Sequence, residues 1–233
     1  MPETSTAFTL PLLEWLDIPA GQVTLDDNLG RFEIQPFKIA KYPITNEQFS
    51  AFIQSDGYKN IGWWQGLAQV GGSPRQSDWR DLDCPKLEVT WFEAVAFAQW
   101  LSDQTGLKVR LPTEWEWQWA AGGDSGWEYP YGSVFDAAKS NTKETGIGRT
   151  NPVTQYADVK THFGVVDMAG NVWEWCLNEG AAPLSTGLEG VENRVLRGGS
   201  WNNAMKNASA HFRSSRTPKT RAFNIGFRVI IAP

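Results

Sequence analysis

The stretches GVVDMAGNVWEWC (164–176) and RVLRGGSW (194–201) decide how this chain is organised. Their aromatic residues, β-branched residues and glycines are typical of buried strands that meet at tight turns. IGFRVIIA (225–232) predicts one closing apolar strand. Between them, residues 200–225 are polar and show no helical or strand period. Because apolar stretches fix both ends, we expect this C-terminal segment (residues 200–225) to be an ordered loop displayed on the surface.

Composition indicates a single domain over residues 1–233. Hydrophobic residues make up 41% of the chain, and no linker-like or charge-rich run divides it. The net charge of −5 argues against a general nucleic-acid binder. Residues 194–233 nevertheless contain no Asp or Glu. We interpret Arg197 and Arg228 as internal framework; the alternative is a mildly basic binding face.

The two cysteines, Cys84 and Cys176, are too few for a disulfide scaffold, although one bridge is possible. Residues 1–15 lack the basic and apolar regions of a secretory signal. No apolar run approaches the roughly 18 residues of a membrane helix. We therefore expect a cytoplasmic protein without a membrane span.

Local patterns predict the regular elements. Alternation over residues 12–44 indicates short antiparallel strands. Three capping boxes predict helix starts, because a Thr side chain and a Glu or Gln three residues later can satisfy each other's amides. The three boxes are Thr45–Gln48, Thr90–Glu93 and Thr113–Glu116. The helices should end near Ser55, near Gly106 and at Gly122-Gly123, and residues 124–163 should hold no helix.

Residues 57–88 form a loop-like insertion that contains Trp63, Trp64 and Trp79. We interpret these tryptophans as packing against the domain. The alternative is a surface on which a ligand stacks.

Four motifs together resemble one family. RLPTEWEWQWAAGG (110–123), GVVDMAGNVWEW (164–175), RVLRGGSW and IGFRV follow the order and spacing of the formylglycine-generating enzyme (sulfatase-modifying factor) family. The resemblance covers roughly residue 15 to the end. It implies an α+β fold of the C-type lectin-like kind, with short antiparallel strands, two or three helices and much irregular structure. The C-terminal segment most resembles the variable region of diversity-generating retroelement variable proteins.

The resemblance does not carry over the family's catalytic residues. Formylglycine-generating enzymes use cysteines three and eight residues after the serine of RGGS, and Asn203 and Ala208 stand there in this chain. Neither residue supplies a thiolate. The ergothioneine-synthase branch needs three iron-binding histidines, whereas this chain has only His162 and His211. We therefore predict no catalytic residues.

Other catalytic patterns are also missing from the sequence, which has no GxSxG, P-loop or HExxH motif. Glu114 and Glu116 are interpreted as solvated carboxylates at a helix start, not as a catalytic pair.

The resemblance also implies a structural calcium site. Its ligands would be the side chains of Asp167 and Glu174 and the carbonyls of Gly170 and Val172, all hard oxygen donors. The alternative is that Asp167 and Glu174 simply accept hydrogen bonds from nearby backbone amides. A second family site, which would begin at Asn141, is not predicted because its downstream segment is shorter here.

Many residues of the C-terminal segment are Asn, or residues reachable from the codon AAC by changing its adenines. Adenine-directed mutagenesis would leave this mixture, as would an ordinary polar loop. The candidate ligand-binding residues are Trp201, Asn202, Asn203, Ala204, Lys206, Asn207, Ser209, His211, Phe212, Ser214, Ser215, Thr217, Lys219, Thr220, Ala222, Phe223 and Asn224. Among them we expect Trp201, His211, Phe212 and Phe223 to act as anchors.

The sequence thus predicts a non-catalytic protein that binds a protein or other macromolecular ligand through residues 201–224. Two alternatives remain: a metal-dependent oxidase of the sulfatase-modifying type, and a regulatory domain that partners a signalling protein such as a kinase. Nothing in the sequence indicates which ligand is bound or the oligomeric state.

Overall fold

A computed structural model describes Leu10, residues 12–25 and residues 29–233. The fold is α+β, with short strands, few helices and long irregular connections. The strands are β1 (Trp15–Ile18), β2 (Gly21–Leu25), β3 (Gly30–Ile34), β4 (Phe37–Ala40), β5 (Val109–Arg110), β6 (Trp173–Glu179), β7 (Arg194–Arg197), β8 (Arg213–Arg216), β9 (Ile225–Gly226) and β10 (Ile230–Ile231). The α-helices are α1 (Asn46–Gln54), α2 (Trp91–Thr105) and α3 (Glu114–Gly122).

Residues 1–9 and 11 lie outside the described residues. The predictions of a single domain and of no secretory signal both include these residues. Among the described helices, none combines the length and apolar character needed to cross a bilayer.

All three predicted capping boxes are confirmed. The side chains of Thr45, Thr90 and Thr113 each accept the amide of the residue three positions on, whose side chain accepts the cap's own amide. Helix α2 ends at Gly106, whose φ of 70° is the left-handed conformation that glycine adopts without strain. Residues 124–163 contain no α-helix, as predicted, but one 3-10 turn at Lys143–Thr145.

The strands form two four-stranded sheets and one hairpin. The first sheet has the order β1-β4-β10-β5, the second has the order β8-β7-β6-β9, and β2 pairs with β3. These strand pairs are antiparallel except β6 with β9, which is parallel and pairs Trp173 with Ile225. The expectation of antiparallel strands is therefore wrong for that one pair.

The prediction of one closing strand at 225–232 is also wrong. This stretch is split between β9 in the second sheet and β10 in the first. Arg228 lies between the two strands and is completely buried. Its guanidinium donates to the carbonyls of Ala40 and Val166. These hydrogen bonds hold the chain in place where it passes from the second sheet to the first.

An aromatic cluster around α2 forms most of the core. Phe97 stacks on Phe49 and makes edge contacts with Phe52 and Phe227. The ring centroids of Phe97 and Trp100 lie 5.3 Å apart. Each buried ring contributes a large apolar area, which accounts for stability in a fold with little regular structure. The insertion covers this core: Trp64 is buried and Trp63 packs against it, as predicted.

Candidate ligand-binding face

The C-terminal segment lies mostly at the surface. Lys206, Thr217, Lys219 and Phe223 are exposed, and most other candidate residues are partly exposed. Ser209 is the exception at 3% exposure, so it does not fit a displayed contact residue. The segment is also less irregular than expected, because it contains strand β8 and a 3-10 turn at Met205–Ala208.

Helix α3 holds the middle of the segment in place. Arg213 of β8 donates two hydrogen bonds to the Glu114 carboxylate, Nε to Oε2 and Nη2 to Oε1, both at 2.9 Å. The same carboxylate accepts from Arg197 at 3.3 Å and from Asn178 at 2.9 Å. Glu114 is fully buried, so its interpretation as a solvated helix-start residue is wrong. Two arginines stabilise its charge in place of water.

Helix α2 holds the far end of the segment. Arg221 lies 2.8 Å from the carboxylate of Glu93, which also accepts a hydrogen bond from Tyr58. Arg221 donates further to the carbonyls of Glu88 and Ser73. Burial and the neighbouring Glu93 charge raise the pKa of Tyr58, which keeps its hydroxyl a donor. These bonds join the C-terminal segment to the insertion at residues 57–88.

Three of the candidate asparagines belong to a hydrogen-bond network. Asn224 donates to Ser200 Oγ at 3.0 Å and to Asn202 Oδ1 at 2.9 Å. Asn203 accepts from the Trp173 indole at 2.7 Å and lies within hydrogen-bond distance of Ser200 Oγ. A serine hydroxyl has one proton, so Ser200 donates to Asn202 or to Asn203 at any moment. These amides therefore fix the conformation of the loop.

His211 is tethered through both ring nitrogens. Its Nε2 lies 3.2 Å from the Trp127 carbonyl, and its Nδ1 lies 3.3 Å from Gln118 Nε2. Because the Gln118 oxygen accepts from Arg197 at 2.8 Å, its amide group donates to His211. This network assigns His211 the tautomer with the proton on Nε2. His211 borders an open depression of about 410 Å³, whose lining residues are Glu128, Lys206, Ser209, His211 and Phe212.

Three aromatic rings meet at the other side of the face. Trp79 of the insertion makes an edge contact with Trp201, with ring centroids 5.1 Å apart, and another with Phe223 at 6.5 Å. Trp201 and Phe223 lie 5.7 Å apart. Trp79 therefore packs, as interpreted, but against two candidate contact residues and not against the core. Residues 79, 201 and 223 are called the aromatic corner below.

Asn203 and Ala208, the positions that the resemblance assigns to catalytic cysteines, hold no thiol. The Asn203 side chain binds Trp173, and Ala208 is buried in a small cluster with Tyr129 and Ala169. The two thiols, Cys84 and Cys176, are free and buried elsewhere. Burial raises the pKa of Cys84 to about 11 and that of Cys176 well above the ordinary value. Neither thiol is disposed to form the thiolate that copper or oxygen chemistry requires.

The predicted calcium ligand Glu174 is already neutralised by an arginine. Its carboxylate accepts from Arg228 Nε at 2.6 Å and Nη2 at 2.7 Å, and from the Trp117 indole at 2.7 Å. The guanidinium thus provides the positive charge that a metal ion would provide. Glu174 therefore does not fit the ligand set implied by the resemblance, and its hydrogen bonds come from side chains instead of the backbone amides of the alternative.

The other three predicted ligands lie at one buried turn. The Asp167 carboxyl accepts from Asn171 Nδ2 at 2.6 Å, and the Gly170 carbonyl accepts the amide of Val172 at 2.8 Å. Burial raises the pKa of Asp167 to about 7. No group of three or more His, Cys, Asp or Glu suited to a metal ion occurs in the described part of the chain.

Sequence reasoning missed Glu114 as the buried support of this face, and it gave ligand stacking by Trp79 only as an alternative shared with Trp63 and Trp64. Both Glu114 and Trp79 are brought to the C-terminal segment from a distant part of the chain, by 99 positions in the case of Glu114 and Arg213. Residues 194–233 contain arginines but no Asp or Glu. This imbalance was a signal that any buried arginine there pairs with a carboxylate from another part of the chain. No comparable signal distinguished Trp79 from the other tryptophans.

Comparisons with known proteins agree with this architecture. Residues 3–233 match the sulfatase-modifying factor enzyme 1-like domain. The mouse (Mus musculus) protein named inactive C-alpha-formylglycine-generating enzyme 2 is 27% identical over 90% of this chain and 77% of its own length. The formylglycine-generating enzyme of Streptomyces coelicolor is 28% identical, covering 91% of this chain and 87% of that enzyme.

Two further matches concern a signalling protein and a solved structure. Serine/threonine-protein kinase Pkn1 of Chlamydia trachomatis is 33% identical over 94% of this chain, which spans 38% of that kinase. The structure of Treponema denticola variable protein 1 shares the fold with a TM-score of 0.74 at 22% identity, covering 97% of this chain and 98% of that one. The chain belongs to the formylglycine-generating enzyme (sulfatase-modifying factor) family.

Proposed function

We propose that this chain is a non-catalytic ligand-binding protein, and that residues 201–224 form a binding face diversified by a retroelement. The observation that carries this proposal is a contrast within one segment. The two positions that the resemblance assigns to catalytic cysteines are Asn203 and Ala208, whereas sixteen of the seventeen candidate contact residues are at least partly exposed. The segment therefore offers accessible side chains and no thiol.

The framework bonds explain how such a face tolerates sequence change. Ordering the backbone of one residue costs about 1–2 kcal/mol of conformational entropy. In a loop whose side chains vary, contacts of those side chains cannot offset this cost reliably. Here Arg213 and Arg221 bind carboxylates on two helices and supply that order from outside the variable positions. Exposed residues such as Thr217 and Lys219 can then change with little loss of stability.

Diversification is tested by the DNA around the gene and by sequencing many isolates of the same strain. We expect a reverse-transcriptase gene, a near-identical template repeat, and differences between isolates confined to adenine positions of codons 201–224. Differences scattered evenly over the gene would contradict diversification. That result would leave open ligand binding by a fixed face.

The absence of catalysis is tested on purified protein loaded with copper or iron. With a thiol-containing peptide as the probe, we expect no oxygen consumption above the rate of free metal. Stoichiometric metal binding together with thiol-dependent oxygen uptake would favour the oxidase alternative.

A second candidate function is regulation of a kinase. The 33% identity to a region of Pkn1 that makes up 38% of that kinase favours it, because it places a homologous domain in the same chain as a kinase. This candidate requires a kinase gene beside this one, or a stable complex between the two purified proteins. Gel filtration of the purified pair distinguishes a complex from separate proteins.

A further inference from the structure

The aromatic corner extends the face beyond the C-terminal segment. We propose that Trp79 is a fixed part of the binding face, and that the corner receives an aromatic or aliphatic anchor side chain of a protein partner with acidic residues beside that anchor. This inference rests on the proposed binding function and adds to it a residue and a class of partner.

The geometry favours a side chain over a sugar. Trp79 is inclined at 83° to Trp201 and at 87° to Phe223, so its ring meets the other two edge to face. A single side chain that docks on these packed rings contacts more than one of them. A sugar ring instead stacks on one flat exposed ring. Phe223 is 48% exposed, so the corner has uncovered apolar surface.

Trp79 is held in place without a ligand. Its amide donates to the hydroxyl of Ser77, which is buried, and Arg80 Nε donates to the Ser77 carbonyl. Arg221 joins the same insertion to the C-terminal segment through the Ser73 carbonyl. A ring that is ordered before binding lowers the entropy lost on association, which is what an anchor site requires.

Charge indicates which partner surface fits. Lys206, Arg216 and Lys219 are exposed. Glu128 lines the same depression as Lys206, so the positive charge that distinguishes this surface is that of Arg216 and Lys219. Asp78 and Arg80, both exposed beside Trp79, offset each other's charge on the insertion side of the corner. The acidic residues of the partner should therefore face Lys219, because complementary charges fix orientation and speed encounter.

The indole of Trp201 provides a further indication. Its Nε1 is shielded from solvent and has no acceptor among the residues that the structure describes. A shielded donor without an acceptor is costly. A carboxylate or carbonyl oxygen of the partner would satisfy this donor after a local rearrangement of the corner.

The test uses a random peptide library displayed on phage and selected on the full chain. We expect enriched peptides to share an aromatic or aliphatic residue flanked by Asp or Glu. A synthetic selected peptide should bind Trp79→Ala at least about tenfold more weakly than the wild type. Leu82→Ala is the matched control, because Leu82 is an exposed apolar residue of the same insertion outside the corner. It should change the affinity less than about twofold.

A second readout localises the effect. The Trp201 indole N–H resonance should shift on titration with the peptide in the wild type and not in Trp79→Ala. Phe223→Ala provides an independent variant if Trp79→Ala does not fold, and it should weaken binding similarly.

Three results would overturn the inference: equal affinity for the wild type and Trp79→Ala, enrichment of no peptide, or binding of glycans alone on an array. Selected peptides whose affinity depends on Lys206 and Lys219 but not on Trp79 would overturn the inference and would support the proposed function.

Discussion

Arg213 on strand β8 donates two parallel hydrogen bonds of 2.9 Å to Glu114, the first residue of helix α3. The carboxylate is completely buried and also contacts Arg197. This pair connects the candidate binding face to the scaffold, since β8 lies at the edge of its sheet. A bidentate arginine fixes direction as well as distance, so the pair sets how β8 is presented.

Glu114→Gln should destabilise the protein by about 3–5 kcal/mol, because it leaves two arginines without their buried counter-charge. The matched control is Glu47→Gln, the same change in the first turn of α1 at an exposed side chain. It should stay within about 0.5 kcal/mol of the wild type. Urea unfolding followed by tryptophan fluorescence measures both. Equal effects of the two substitutions would show that the Glu114 pair does not support the fold.

Burial divides the serines of the C-terminal segment into two classes. Ser209→Asn should cost about 1–3 kcal/mol, because it removes the buried hydroxyl that accepts the backbone amide of His211. Ser214→Asn introduces the same side chain at a partly exposed position and should change stability by less than about 0.5 kcal/mol. Thermal unfolding compares the two variants. Similar losses would mean that Ser209 is as accessible as Ser214.

The thiol of Cys84 should react slowly in the folded protein. Burial raises its pKa from 9.0 to about 11, so at pH 8 the thiolate fraction is about 100-fold lower than for an ordinary cysteine. Iodoacetamide labelling with mass spectrometry should show slow modification of the native protein and rapid modification in urea. Rapid native labelling would contradict the buried position.

The same shift has a consequence for stability, with a defined sign. Since the folded-state pKa is the higher one, the unfolded protein loses this proton first as the pH rises. The stabilising contribution of the protonated thiol is therefore present below pH 9 and is lost between about pH 9 and 11. Cys84→Ser should show a smaller decline over this range when urea unfolding is measured at several pH values.

Calcium should not stabilise the protein through Glu174. A ligand that binds only the folded state stabilises it, and the unfolding temperature rises with the logarithm of the ligand concentration above its Kd. Because Arg228 already neutralises Glu174, we expect equal unfolding temperatures in calcium and in EDTA. Differential scanning calorimetry measures them. A calcium-dependent rise abolished by Asp167→Asn would restore a metal site at this turn.

The sequence by itself determined the parts of the protein that depend on neighbours in the chain. Each capping box spans four residues, so Thr45, Thr90 and Thr113 could be read as helix starts, and Gly106 as a helix end, without knowledge of the fold. The order of four motifs carried the family resemblance in the same way. Exposure of residues such as Thr217 and Lys219 also followed from local polarity.

Only the tertiary structure decided which distant residues meet. It brought Glu114 to Arg213, Glu174 to Arg228, and Trp79 to Trp201, across separations that leave no periodic pattern in the sequence. Burial also decided the state of each charge: the same glutamate type is solvated at position 47 and bound by two arginines at position 114. A charge removed from water must find its partner wherever the fold supplies one, and local sequence cannot specify that place.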